Sequence, residues 1–168
     1  LAASIDRGME ETFDDLTWRV NIDYSPTDDD LVYFSVTTGY RAGGFNLGFN
    51  SPTPVYGKEE ITAYELGYKG TLLDGTMQLN ASIYRYEYDG IALQFLESGG
   101  FFGEGTSVTN GPDVETHGAE IDIMWLATDN LTIGGTFSYT NAEYVDELDP
   151  LKSIVDNANP YAPQGVFS

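Results

Sequence analysis

Glu120 and Asp122 stand two residues apart, so an extended chain would hold their carboxylates on one side at about 7 Å. That separation suits a glycosidase acid and base pair. Nothing else in the chain completes such a centre, and hydrated surface carboxylates explain the pair as well. His117 is the single histidine and there are zero cysteines, so neither a nucleophilic triad nor a transition-metal site is supported. Asp28, Asp29 and Asp30, and again Asp146, Glu147 and Asp149, offer hard oxygen ligands, yet neither run forms a full calcium loop. Both read as solvated turns. The glycine-rich run at 99–105 carries Glu104 and no lysine, which argues against a phosphate cradle. No catalytic residue, resident metal or cofactor is expected.

The residues suited to binding are of another kind. Arg41 precedes Gly43 and Gly44, and its guanidinium suits either an anionic ligand or a structural pair with a carboxylate. Phe45, Phe49 and Tyr56 in one connection, and Phe101 with Phe102 in another, supply rings for an aromatic clamp or for local packing. Arg41, Phe45, Asn46, Tyr56, Phe101 and Phe102 are the candidate ligand contacts.

The elements that position these residues are strands. Leu16, Trp18, Val20, Ile22 and Tyr24 alternate with Thr17, Arg19, Asn21 and Asp23, the pattern of a strand with one apolar and one polar face. The same period of two predicts strands at 31–40, 62–69, 77–84 with continuation as far as 96, 119–125 and 131–140. A seventh strand opens near 161–168. No residue on the apolar faces is charged, whereas Arg19, Asp23, Glu65, Lys69, Glu120 and Asp122 lie on the opposite faces. On the fourth strand the apolar face then acquires Arg85, Glu87 and Asp89, as if leaving an apolar medium for water.

Connections alternate in length. They are short at 25–30, 70–75 and 126–130, and long at 41–60, 97–105 and 141–160. Aromatic residues end the apolar face near both kinds, with Tyr24, Tyr68 and Trp125 at the short turns and Tyr40 and Tyr139 at the long ones. A transmembrane β-barrel has short turns on one side, long loops on the other, and aromatic girdles at both interfaces. A secreted acidic β-sandwich that binds a ligand would also alternate, but it has no reason to sort its loops by end.

Composition agrees. Lys and Arg number 7 against 27 Asp and Glu, a formal net charge of −20. This excess disfavours nucleic acid as a partner, because the phosphate backbone needs a basic face. The acidity falls mainly in turns, loops and strand extensions. No stretch of about 18 consecutive apolar residues provides a membrane helix, which leaves a strand-built span open.

The fold expected is therefore all-β: an antiparallel up-and-down transmembrane β-barrel segment of about six full strands plus part of a seventh, an open curved sheet in isolation. A bacterial outer-membrane barrel needs an even number of strands, at least about eight. At about 24 residues per strand and connection, a 22-stranded barrel would need on the order of 500 residues. The chain, which starts at Leu1 without a Met, is thus expected to be a piece of a longer wall.

Six segments carry a family resemblance: GYRAGGFN at 39–46, TAYELGYKG at 62–70, LLDGTMQLNASIYRYEY at 72–88, HGAEIDI at 117–123, NLTIGGTFSYTNAEY at 130–144 and NPYAPQGVFS at 159–168. In order and spacing they resemble the TonB-dependent outer-membrane receptors. The resemblance covers nearly all of the chain after Thr12. It implies a 22-stranded barrel in the outer membrane of a Gram-negative bacterium, a plug domain inside it, and nutrient uptake energised by the TonB-ExbB-ExbD system. The implied ligand is a small molecule such as an iron chelate, commonly a siderophore, and the implied neighbour of the wall is outer-membrane lipid. On this reading residues 1–168 are a partial receptor β-barrel domain. They hold no TonB box, no plug and no terminal strand ending in an aromatic residue, so alone they should neither bind TonB nor transport. A passive porin-like or small structural barrel is the alternative, and a barrel-borne hydrolase using Glu120 or Asp122 ranks behind it; no enzymatic activity is expected.

Overall fold

The computed structural model describes residues 10–46, 54–97, 105–145 and 165–167. Seven strands form one sheet: β1 (Arg19–Thr27), β2 (Asp30–Arg41), β5 (Glu59–Leu72), β6 (Met77–Asp89), β9 (Val114–Thr128), β10 (Leu131–Tyr144) and β11 (Gly165–Phe167). They lie side by side in chain order, every neighbouring pair antiparallel. Two short hairpins stand in the long connections, β3 (Gly44–Phe45) with β4 (Val55–Tyr56), and β7 (Ala92–Glu97) with β8 (Gly105–Asn110). The sheet is open: among the described residues β1 and β11 are its two edges and do not pair.

Register sorts the side chains into two faces, since directly opposed residues point the same way. One row runs Ile22, Phe34, Leu66, Ile83, Ala119, Tyr139, and the next Tyr24, Val32, Tyr68, Ala81, Ile121, Phe137. The interleaved row on the other face runs Asp23, Tyr33, Gly67, Ser82, Glu120, Ser138. One face is thus apolar and the other polar, strand by strand.

No second layer covers the apolar face among the described residues. Ile22 is 61% exposed and Ile83 57%, and among the described residues the buried hydrophobic ones are Val114 and Ala142. A domain in water must bury such a face against another layer. This sheet is built to meet an apolar medium instead.

The three tight turns, 28–29, 73–76 and 129–130, share one end of the sheet. In the second, Leu73, Asp74 and Gly75 all have positive φ, and both the amide and the hydroxyl of Thr76 donate to the Leu73 carbonyl. At the other end the strands run further than alternation predicts, for example to Tyr144 in β10 and from Glu59 in β5. There the ladder continues into water and outward side chains are no longer apolar, so hydropathy stops marking it.

One prediction needs correction. The continuous strand from 77 to as far as 96 is broken at Gly90, whose φ of 62° belongs to the left-handed region. Its amide donates to Asp113 and its carbonyl accepts from Asn110, so the backbone groups that would have continued the ladder are satisfied by side chains. The following residues pair with β8 in a separate hairpin.

Candidate functional site

Within the sheet, the polar face is furnished by tyrosines that lie over glycines. Tyr33 is opposite Gly67 and Tyr84 is opposite Gly118, and a Cβ at either glycine would fall inside the neighbouring ring. Absence of a side chain lets the ring lie flat on the backbone. Tyr33 then donates to Glu65, Lys69 Nζ lies 5.6 Å from the Tyr33 ring centre, and the Tyr84 hydroxyl meets Thr140 Oγ1 at 2.6 Å. Tyr84 stacks on Tyr86 at 4.7 Å between centroids. The result is a hydrogen-bonded, hydrated wall. Glu120 and Asp122 belong to it, exposed, with Asp122 accepting from Thr136 at 3.2 Å.

On the apolar face, charge begins at the row of Arg85 and His117, which pair with each other in register. Arg85 bonds Glu87 at 2.9 Å and Glu115 at 2.7 Å. His117 is exposed on this face, away from Glu120 and Asp122. Among the described residues no three His, Cys, Asp or Glu side chains converge as metal ligands.

The long-connection end holds most of the candidate contacts. Arg41 keeps the polar-face parity of Thr37 and Gly39 and bonds Glu59 at 2.6 Å while its side chain stays 65% exposed. Glu59 Oε2 also accepts from the Ala92 amide at 3.0 Å. The structural pair is therefore formed, and most of the Arg41 side chain still faces solvent. Asn46 is buried; its amide donates to the Val108 carbonyl at 2.6 Å and accepts from the Val108 amide at 2.8 Å. Tyr56 is opposite Gly44 and its ring covers it, and Phe45 is opposite Val55 in the same hairpin. Arg41, Phe45, Asn46 and Tyr56 are thus gathered at one end of the sheet. Phe101 and Phe102 lie outside the described residues, as do Phe49, Glu104 and the acidic run 146–149.

Sequence reasoning missed the residues that join this end together. Asn110 accepts from the Gly57 amide at 2.6 Å and donates to the carbonyls of Gly57, Lys58 and Gly90 at 3.2, 3.3 and 2.9 Å. Asp113 accepts from Gly90 at 2.9 Å. Lys58 binds Asp15 at 2.7 Å and Glu60 at 3.0 Å, while Phe13 packs against Gly43. These bonds hold Lys58 above its ordinary lysine value and Asp15 below its ordinary carboxylate value, chiefly through their bond to each other. The clue available was the density of Asn, Asp and Gly near strand ends, where side chains replace ladder bonds.

Known proteins share this fold. A family model described as TonB dependent receptor-like, beta-barrel matches residues 4–167. The probable TonB-dependent siderophore receptor PiuA of Acinetobacter baumannii is 25% identical over 137 residues, which cover 77% of this chain and 17% of that protein. The crystal structure of the ferric yersiniabactin uptake receptor FyuA from Yersinia pestis superposes with a TM-score of 0.68 at 18% identity, over 88% of this chain and 21% of that one. The ferric-catecholate import receptor Fiu from Escherichia coli K12 gives 0.63 at 17% identity, over 90% and 21%. The chain spans about a fifth of the length of the relatives it matches. Those relatives are receptors and transporters, and the family resides in the outer membrane of Gram-negative bacteria. With one face apolar, one polar, and its connections sorted by end, the chain belongs to the TonB-dependent receptor β-barrel family.

Proposed function

We propose that this chain forms part of the wall of an outer-membrane active transporter that takes up a scarce nutrient, with a metal chelate of the siderophore class as substrate. The observation that carries the reading is the uncovered apolar face backed by a hydrated polar one. A lipid neighbour requires the first, and a water-filled or plugged lumen requires the second. The siderophore receptors among its relatives supply the substrate class.

In this proposal the tight-turn end faces the periplasm and the long-connection end faces outside. Arg41 and the Phe45 ring are the ligand-facing groups, the guanidinium meeting the anionic chelate. Asn46 and Tyr56 shape the hairpin beside them, and Phe101 and Phe102, which belong to the second connection in sequence, are proposed as further ligand contacts. The rest of the protein supplies a plug domain and its link to the TonB-ExbB-ExbD complex. No catalytic step is assigned to Glu120 or Asp122.

Uptake of a radiolabelled ferric siderophore panel by cells carrying the whole protein tests this. Uptake should vanish when the proton-motive force is collapsed or TonB is deleted. Uptake that persists in both conditions would point to a passive pore. Topology has its own readout: cysteine at Val20, Leu66 or Ile133 should resist an aqueous thiol reagent in intact cells, whereas cysteine at Glu143 should react. The opposite pattern overturns the face assignment.

A further inference from the structure

We infer that, among the described residues, the β2–β5 and β6–β9 connections move as one cooperative body, fastened by the side chains of Asn46 and Asn110, and not as separate loops. That this end faces outside the cell rests on the transporter reading above, whereas the fastening rests on geometry alone. The chain before β1 is tied to the β2–β5 connection through the Asp15–Lys58 ion pair and the contact of Phe13 with Gly43. That connection is tied to the one between β6 and β9 at two places. Asn46 pairs in both directions with the backbone of Val108, and Asn110 bridges Gly57, Lys58 and Gly90.

The choice of residue follows from the bonds. A peptide edge offers a donor and an acceptor, and a primary amide presents the matching acceptor and donor in one plane. Asn46 therefore acts toward Val108 as a residue of an added strand would, although it stands 62 positions away in sequence. Asn46 is 4% exposed and Val108 half-buried, so loss of this pairing removes two hydrogen bonds where little water reaches. Asn110 uses its acceptor once and its donors on three carbonyls, so one side chain holds Gly57, Lys58 and Gly90 together. Glu59 adds a further tie, since the oxygen that holds Arg41 also caps the Ala92 amide at the start of β7. Arg41 is thus mounted on the same body, and its position depends on both connections.

Hydrogen exchange measured by mass spectrometry on the whole receptor in outer-membrane vesicles tests the fastening. Peptides covering 54–59, 90–97 and 105–113 report the joined body, and peptides covering 77–84 and 131–137 report the wall. Asn46→Ala should raise exchange about tenfold in all three joined peptides, including 54–59 and 90–97, which Val108 does not belong to, and leave the wall unchanged. Asn110→Asp, which keeps the bond from Gly57 N and removes every donated bond, should do the same. Asn46→Asp removes the bond to the Val108 carbonyl, keeps an acceptor for the Val108 amide, and makes the same comparison in a milder variant. In Asn110→Asp the rise should also reach a peptide covering 41–46, which Asn110 does not bond; a rise that spares that peptide, or one confined to 105–113 in the Asn46 variants, overturns the inference. Transport does not enter this readout, so a receptor that fails the uptake test leaves the fastening equally open to refutation.

Discussion

The wall and the rim of this sheet are held by different bonds. In the wall, neighbouring strands join through their backbones, and the side chains are left to face lipid or water. In the rim, the backbone leaves the main ladder at Gly57 and Gly90 and reaches a hairpin edge at Val108, and the side chains of Asn46, Asn110 and Asp113 take up the backbone groups there. The difference follows from solvent. Inside a membrane no irregular backbone facing lipid is tolerable, so the ladder is continuous. Above it, chain reversals are allowed, but their donors and acceptors must be satisfied wherever packing excludes water.

The contrast is broken most directly by placing charge on the apolar face. Leu66→Arg should destabilise the folded receptor by about 2–4 kcal/mol in lipid, whereas Ser82→Lys, one strand over and on the polar face, should cost far less. Equilibrium unfolding in lipid vesicles measures both. Equal costs would mean that the two faces are not in different media.

A smaller effect probes the polar face. Gly67→Ala forces the Tyr33 ring off the backbone and away from Glu65, at a cost of about 1–3 kcal/mol. With Tyr33→Ser already in place, the same substitution should cost almost nothing. Persistence of the penalty in that double-mutant cycle would show that the glycine serves its own backbone and not the ring.

Legibility divides along the same line. The wall was readable because a single membrane-facing side imposes period two, and one charged residue in the wrong place is costly. Val20, Leu66 and Ile133 needed only parity to be placed. Tyr33 over Gly67 was not readable, because it depends on which residues stand opposite, and register is not written in one strand. The rim was least readable. Parity places Arg41 on its face, and its charge suits either an anionic ligand or a carboxylate, but nothing in the sequence singles out Glu59 among so many acids. Asn46 was recognised as a candidate while its partner, Val108, lies 62 residues away, and Asn110 carried no hydropathy signal at all. Side-chain-to-backbone bonds have no periodicity to betray them.

The smallest expected effect concerns the tie between the chain before β1 and the rim, and it titrates. Asp15 is held below its usual value, mainly by the bond from Lys58 and then by its interaction with Glu60. A carboxylate so depressed contributes its stabilisation above its unfolded pKa and loses it as the pH falls through the folded one. Lys58 is held above its usual value by Asp15 and Glu60, so its contribution is present below its unfolded pKa and fades as the pH rises through the folded one. The tie should therefore hold across the neutral range and release at both extremes. Leu16, next to Asp15 and 81% exposed, is a suitable place for a spin label. Its mobility should be low at neutral pH and rise in acid below the usual carboxylate range and in alkali above the usual lysine range. Asp15→Asn should make the label mobile at neutral pH and abolish the acid step. A label that stays as immobile at neutral pH in that variant as in the parent protein would assign the anchoring to Phe13 on Gly43, an apolar contact with no group to titrate.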